Sequence, residues 1–298
     1  MFVLKKKQFL QEYRIENIYL KAEEKGLKWK TLQNIYKDYK NNYLTYYNQQ
    51  AGEVVEKLMK NAPAEATIIY GRAKQPEHLI EKIIRKIGKE DKADYFDINV
   101  NNYREIVTDL IGIRVLILKK EDWDIVDQHI HKKYKKFIEW PVAYVCYGDR
   151  DIYDKKRINT RYTNKGYRSQ HYIVQHNKCI CEIQVRTLAE QVYGEYDHKV
   201  RYPYRQDSNF LARYNRIISK VTSELDDLIS TSLNLSDENI DILDKNFSQD
   251  TYRDWSREID ENMSYALNDD KAEEYNVEMQ GRINAIEHAT NRIMQRGR

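Results

Sequence analysis

The stretch Gly166–Thr187, GYRSQHYIVQHNKCICEIQVRT, brings together a tyrosine, a histidine, a carboxylate, an amide and an arginine. Side chains alternate across a strand, so Glu182, Gln184 and Arg186 share one face and Cys179, Cys181, Ile183 and Val185 the other. Tyr167, Ser169 and His171 share a face of the preceding strand. A two-residue turn at His176-Asn177 sets His171 opposite Glu182 and Tyr167 opposite Arg186. A one-residue slip would send each of them to the opposite face. A carboxylate within reach of a hydroxyl can take its proton, and a tyrosine ring offers a flat surface to a base. The two cysteines fall on the apolar face, so Cys-x-Cys reads as core rather than as a metal site.

A second carboxylate, Asp109, stands in TDLIGIR just ahead of an apolar run. Alone it reads as a cap or turn at a strand entry. Together with Glu182 it makes a pair at neighbouring strand ends that could hold Mg²⁺, which takes a few carboxylates plus substrate phosphates. Asp109 and Arg114 differ by an odd number, so Asp109 is expected in the turn before the strand. Gly112 marks a place where backbone passes close to something. Arg72 and Lys74 follow the first apolar strand, and Lys82 and Arg85 sit three apart on a helix face away from its isoleucines. As a set these cations could grip a triphosphate, and an arginine plane could stack on a base. In isolation Lys82 and Arg85 read as a solvated helix face. No Gly-rich phosphate loop is present, so side chains would have to hold any nucleotide.

The elements that must position these groups follow from periodicity. Up to about residue 63 the chain is helical: Ile15, Ile18, Tyr19 and Ala22 form one stripe ended by Gly26. Leu32, Ile35, Tyr36, Tyr39 and Tyr43 form a second stripe, whose tyrosines read as packing. From 64 to 205 strands alternate with helices: ATIIYGR, then the helix QPEHLIEKIIRKIGK ending near Gly88, then a central strand LIGIRVLIL. The helix EDWDIVDQHIHKKY, the strand WPVAYVCY, a polar loop carrying Lys155, Lys156 and Lys165, the hairpin, and the helix LAEQVYGEYDHKVRY complete the zone. From 206 to 298 the chain reads as helical, with Ile283, Ile286, Thr290 and Ile293 on one late stripe. The fold class is α+β, a mixed sheet flanked by helices with helical extensions at both ends.

Charge is divided along the chain. Residues 1–50 carry +5, residues 51–220 carry +8 and residues 221–298 carry −10, for a net charge of +3. A basic centre suits an anionic substrate. No apolar run approaches the roughly 20 residues of a membrane span, no signal peptide is read in MFVLKKKQFL, and three cysteines without zinc-like spacing fit a reducing compartment. A cytoplasmic protein is expected.

YGRAKQPEHLIEKIIRK, TDLIGIRVLIL, GYRSQHYIV and EIQVRTLAEQVYGEYDHKVRY, in that order, resemble the RelA/SpoT synthetase domain over about residues 66–205. The resemblance implies a nucleotidyltransferase-like synthetase core that moves the β,γ-pyrophosphate of ATP to a ribose 3′-hydroxyl and releases AMP. It implies that Asp109 and Glu182 hold Mg²⁺, with Glu182 also the general base. Arg72 and Arg114 would sandwich the adenine, and Lys74, Lys82 and Arg85 would bind the ATP phosphates. Tyr167 would stack on the acceptor base near His171 and Gln184, with Lys155, Lys156 and Lys165 neutralising acceptor phosphates. Asp197-His198-Lys199 departs mildly from the family's Glu-His-Lys. The His-Asp signature of the family's hydrolase domain is missing, and His129 and His131 face apart on a helix, so synthesis without hydrolysis is expected. The acceptor implied is GDP or GTP, giving (p)ppGpp. A toxic relative acting on the 3′-CCA end of tRNA or on an adenine nucleotide, and an inactive nucleotide-binding module, remain as alternatives. A homo-oligomer or an antitoxin partner stays open, since the sequence specifies neither.

Overall fold

The computed structural model describes residues 4–146, 152–163, 166–200 and 208–235. The chain divides into two compact units, 1–230 and 231–298. Of the second, only residues 231–235 are described, so the stripe from Ile283 to Ile293 lies outside the described residues. None of the described helices is long and apolar enough to cross a membrane.

The first unit opens with helices α1 (Lys6–Glu12), α2 (Glu16–Glu24), α3 (Trp29–Asp38) and α4 (Leu44–Met59), with a wider π turn at Tyr39–Tyr43 between the last two. Gly26 ends α2 in the left-handed region, φ 94°, which a side chain would resist. The two stripes read from the sequence are buried: Ile15, Tyr19, Ala22, Leu32, Ile35, Tyr36 and Tyr39 belong to the same core cluster as the sheet. The tyrosines there do more than pack. Tyr36 donates to Glu77 at 2.6 Å and Tyr39 to the Lys74 carbonyl at 2.7 Å, each satisfying a hydroxyl that burial would otherwise leave orphaned.

Strand β1 (Ile68–Ala73) leads to α5 (Pro76–Gly88), the short α6 (Tyr103–Ile106), β2 (Ile111–Ile117), α7 (Trp123–Lys133), β3 (Phe137–Val145), β4 (Asn159–Tyr162), β5 (Ser169–His176), β6 (Cys179–Thr187), α8 (Leu188–Val200) and α9 (Asn209–Leu233). The six strands form one mixed sheet in the order β1-β2-β6-β5-β3-β4. β2 and β6 run parallel, as do β3 and β4, and the remaining neighbours run antiparallel. β4 was not foreseen: NTRY lies in the stretch expected to be loop, and it pairs with β3 as a short edge strand.

One sheet face is apolar. Ile111, Ile113, Val115, Cys181, Ile183, Val185, Tyr172 and Val174 are all buried there. Helix α4 lies close against it at Gly71, where an added Cβ would overlap Ile113 Cδ1 and approach Val55 and the Ala51 carbonyl. Gly88 ends α5 as expected, but its role is close packing: a Cβ there would overlap the Ile18 carbonyl of α2. Helix α9 inverts the usual pattern. It buries Asn215, Ser219, Thr222, Ser223, Asp226 and Ser230 while Phe210, Val221, Leu225 and Leu228 are exposed. Polar bonds hold the inner face. Asn215 donates to Tyr193 at 2.7 Å, Ser219 to the Gly166 carbonyl at 3.0 Å and Ser230 to Glu121 at 2.7 Å.

Candidate active site

The polar face of the sheet, α5 and α8 enclose a cleft of about 450 Å³. β1 contributes Tyr70 and Arg72, β2 Gly112 and Arg114, β5 His171, and β6 Glu182, Gln184 and Arg186. Period-two alternation over neighbouring strands puts all of these on the face opposite the apolar core. Seven Lys/Arg line the cleft against four carboxylates, which favours an anionic occupant. Every predicted site residue lines it except Lys165, which lies outside the described residues. Lys155 and Lys156 are exposed on the segment before β4 and do not line the cleft.

Asp109 sits in the turn before β2, as its odd spacing from Arg114 required. The Lys74 amide donates to the Leu110 carbonyl at 2.8 Å, which carries the β1–β2 pairing one step further and sets Lys74 beside Asp109. Asp109 Oδ2 accepts ion pairs from Lys74 at 3.1 Å and Lys82 at 2.8 Å. Burial pushes the Asp109 carboxyl up, but Lys82 and Lys74 more than reverse this and hold it well below the usual carboxylate range. Lys82 is correspondingly raised against its own burial, chiefly by Asp109. The expected solvated face is thus the cleft wall: Lys82 and Arg85 both point inward, and Arg85 is buried. Arg85 is already engaged, with Nε on Glu81 at 2.9 Å and Nη1 on Glu90. Arg72 and Arg114 line the cleft and form no ion pair among the described residues. Gly112 is tight against nothing: a Cβ would find its nearest neighbour at 3.8 Å. The expected close approach is replaced by a bare floor between the Arg72 and Glu182 strands.

One oxygen of the Asp109 carboxylate could take a divalent cation. Asp109 Oδ1 is buried with no hydrogen-bond partner, although its other oxygen is saturated by two lysines. A buried carboxylate oxygen left bare is costly, and a hard cation on that oxygen would relieve it.

At the other end, the hairpin turn is Asn177-Lys178, both with positive φ, one residue later than expected. Two left-handed residues make the turn that matches strand twist. The register therefore shifts by two: His171 pairs with Gln184 and Ile173 with Glu182, and Tyr167 precedes the ladder. A shift of two keeps every side chain on its face. His171 still reaches Glu182 diagonally, Nδ1 to Oε1 at 3.0 Å. The second Glu182 oxygen accepts from Gln184 at 2.5 Å. Burial raises Glu182, and His171 then outweighs it, bringing its pKa to about 2. Tyr167 meets His171 Nε2 at 2.9 Å, and Tyr144 on β3 packs edge-on to both rings.

β6 runs straight into α8 through a capping box. The Glu190 amide donates to Thr187 Oγ1 at 3.0 Å and the Thr187 amide to Glu190 Oε2 at 2.9 Å. This turn lays α8 beside the cleft. Sequence reasoning set Arg186 on the polar face without a role, and left Tyr70, Glu81 and Lys86 out of the site. Arg186 was legible, because it shares the Glu182 face. The α5 pair was not, since a helix stripe does not say what its polar side faces.

Residues 71–207 match the family model described as a region found in RelA / SpoT proteins. This stretch belongs to the RelA/SpoT family. The RelA/SpoT region holds every cleft residue named above apart from Tyr70. No curated protein sequence matches the chain. Among solved structures, the chain is similar to the small alarmone synthetase 1 of Bacillus subtilis bound to its product pppGpp, at 21% identity and a TM-score of 0.44, covering 63% of this chain and 93% of that one. The same synthetase bound to AMPCPP matches at 18% identity and 0.44, covering 65% and 95%. A GTP pyrophosphokinase family protein of Streptococcus pneumoniae matches at 20% and 0.42, covering 83% and 100%.

Proposed function

We propose that the chain is an ATP-dependent pyrophosphokinase that transfers the β,γ-pyrophosphate of ATP to the 3′-hydroxyl of GDP or GTP. The observation that carries this reading is the two-ended cleft. Cations surround Asp109 at one end, and a tyrosine, a histidine and an amide surround Glu182 at the other. The RelA/SpoT region supports the same reaction class.

In this reading Arg72 and Arg114 clasp the adenine, and Lys74 and Lys82 exchange Asp109 for ATP phosphates. Arg85, held by Glu81 and Glu90, lends its charge from the wall. Tyr167 stacks on the acceptor base. Glu182 accepts a hydrogen bond from the 3′-hydroxyl and turns an oxygen lone pair toward the β-phosphorus. The new bond joins that oxygen to the β-phosphorus, and the bond from the β-phosphorus to the α,β-bridging oxygen breaks. AMP leaves with the bridging oxygen, and the hydroxyl proton passes to Glu182 or to water. A carboxylate with a pKa of about 2 is a weak proton acceptor, so the cations must acidify the hydroxyl as the transfer proceeds. Asp109 and Glu182 would hold Mg²⁺, which when bound supplies charge neutralisation at the phosphates. His129 meets the Leu58 carbonyl at 2.7 Å and His131 Nε2 lies 3.5 Å from Asp127, and the proposal is for synthesis alone.

The test is label transfer from ATP carrying γ-³²P, with Mg²⁺, to GDP, GTP, ATP and deacylated tRNA offered separately. Label on GDP or GTP is expected. Label on tRNA that is lost with the terminal adenosine would make the acceptor a 3′-CCA end. Label nowhere, with no AMP formed, would make the cleft a binding module and end the proposal.

A further inference from the structure

Arg186 is buried near the end of β6, on the strand face that carries Glu182 and Gln184. Its guanidinium is almost fully used. Nε donates to Ser169 Oγ at 3.1 Å and Nη1 to Gln191 Oε1 at 3.4 Å. Nη2 donates twice, to the Tyr167 hydroxyl at 2.6 Å and to Gln184 Oε1 at 2.6 Å. Each acceptor passes a hydrogen bond onward. The Tyr167 oxygen also meets His171 Nε2 at 2.9 Å, and His171 Nδ1–H donates to Glu182 Oε1 at 3.0 Å, because an ionised carboxylate can only accept. Gln184 accepts through its oxygen and therefore donates through Nε2, to Glu182 Oε2 at 2.5 Å. Two chains of hydrogen bonds thus run from one nitrogen to the two oxygens of one carboxylate. The orientation of the Gln184 amide follows from that donor, and the proton on His171 Nδ1 follows from the carboxylate it meets.

Space for the guanidinium is also built in. Gly194 lies inside α8, where glycine is costly relative to alanine. An added Cβ there would overlap Arg186 Nη1. The Tyr167 ring lies under the same group, 5.0 Å from centroid to Cζ. A lysine could not replace this set, because one ammonium cannot present planar, divergent donors to four acceptors.

We infer that Arg186 is a positioning residue that locks Tyr167 and Glu182 to one another, so that the base platform and the hydroxyl acceptor keep a fixed separation. The inference rests on the proposed pyrophosphokinase reading of the cleft. Arg186 touches neither substrate; it acts through Tyr167, His171 and Gln184. The ATP end, built on Arg72, Lys74, Lys82 and Arg114, lies outside the network.

The test uses the full-length chain in four forms: wild type, Arg186→Met, Arg186→Lys and Gly194→Ala. Gly194→Ala keeps the arginine but takes away its seat. Expected for Arg186→Met is a fall in kcat of about 100-fold, of the order seen when a preorganised donor is lost, with the Kd for α,β-methylene-ATP within twofold of wild type. Arg186→Lys should rescue little, and Gly194→Ala should fall the same way by a smaller factor. The ¹³C-tyrosine spectrum of the unliganded protein, with Tyr167 assigned through Tyr167→Phe, should show the Tyr167 signal shifted in both Arg186→Met and Gly194→Ala. Equal loss of kcat and ATP affinity, full rescue by lysine, or a Tyr167 signal unmoved in both variants would overturn the inference. If wild type labels no acceptor, the pyrophosphokinase reading fails, and the Tyr167 signal still decides whether Arg186 holds the network.

Discussion

Asp109→Asn should have two effects of opposite sign. The asparagine is isosteric but carries no charge, so Lys74 and Lys82 lose the anion that separates them. At an effective dielectric of about 20, unit charges about 3 Å apart attract by roughly 5 kcal/mol, and most of that is offset by desolvation. Removing one partner of a buried pair costs roughly 3–5 kcal/mol. The three side chains here are 12–22% exposed, which trims the expected destabilisation to about 2–4 kcal/mol. Affinity for metal-free ATP should move the other way. In wild type the phosphates compete with Asp109 for both lysines and are repelled by it. A carboxylate about 5 Å from a phosphate charge costs roughly 1–3 kcal/mol across the plausible dielectric range. The variant should therefore bind ATP in EDTA about tenfold more tightly, with that advantage lost when Mg²⁺ is added. Urea midpoints give the first quantity, and calorimetry with and without Mg²⁺ gives the second. Weaker binding of metal-free ATP by Asp109→Asn, or a stability loss under about 1 kcal/mol, would refute the ion-pair reasoning.

Three further outcomes are expected. Glu182→Gln keeps the shape of the hairpin and removes the proton acceptor, so kcat should fall by about 10²–10⁴ while ATP affinity holds within about threefold; turnover at the wild-type rate would remove Glu182 from the chemistry. Gly166 has φ 79° and a Cβ there would overlap Ser219 Oγ, so Gly166→Ala should cost about 1–3 kcal/mol. It should also raise the acceptor KM through its neighbour Tyr167, and adding Ser219→Gly should recover part but not all of both losses. Asp226 is buried and crowded by Glu190, which together outweigh the Arg168 guanidinium 2.9 Å away and lift its carboxyl to about 7. Its folded value lies above an unfolded value of about 4, so protonation favours the folded state. Stability should fall as pH rises from about 4 to 7 and then level off. Asp226→Asn should lack that slope in urea midpoints measured at pH 5 and 8, and parallel curves for the two proteins would exclude Asp226 as its source.

The cleft was legible because strand alternation is insensitive to the error that was made. Placing the turn one residue early displaced the register by two, and a displacement of two leaves Glu182, Gln184, Arg186 and His171 on the same face. The place of Asp109 in the turn before β2 was legible from parity, while its role came only with the family resemblance. β4 was not, because NTRY has no alternating apolar residues and is held by pairing with β3 rather than by burial. Lys82 and Arg85 show the limit of a helix stripe: the isoleucines fix the inner face of α5, but only the neighbouring sheet decides whether the polar face meets water or a cleft. Helix α9 shows the converse. Its apolar residues mark its outer side, and its seat against Gly166, Tyr193 and Glu121 depends on Ser219, Asn215 and Ser230, which carry no periodic hydrophobic signal.

The most direct measurement is ³¹P NMR of the purified chain turning over ATP and GDP with Mg²⁺. The account predicts AMP and a 3′-diphosphate on the guanosine ribose, growing together in a one-to-one ratio. ADP with inorganic phosphate, or ADP with GTP, would mean that the β,γ-pyrophosphate is not the group transferred and would contradict the two-ended reading of the cleft.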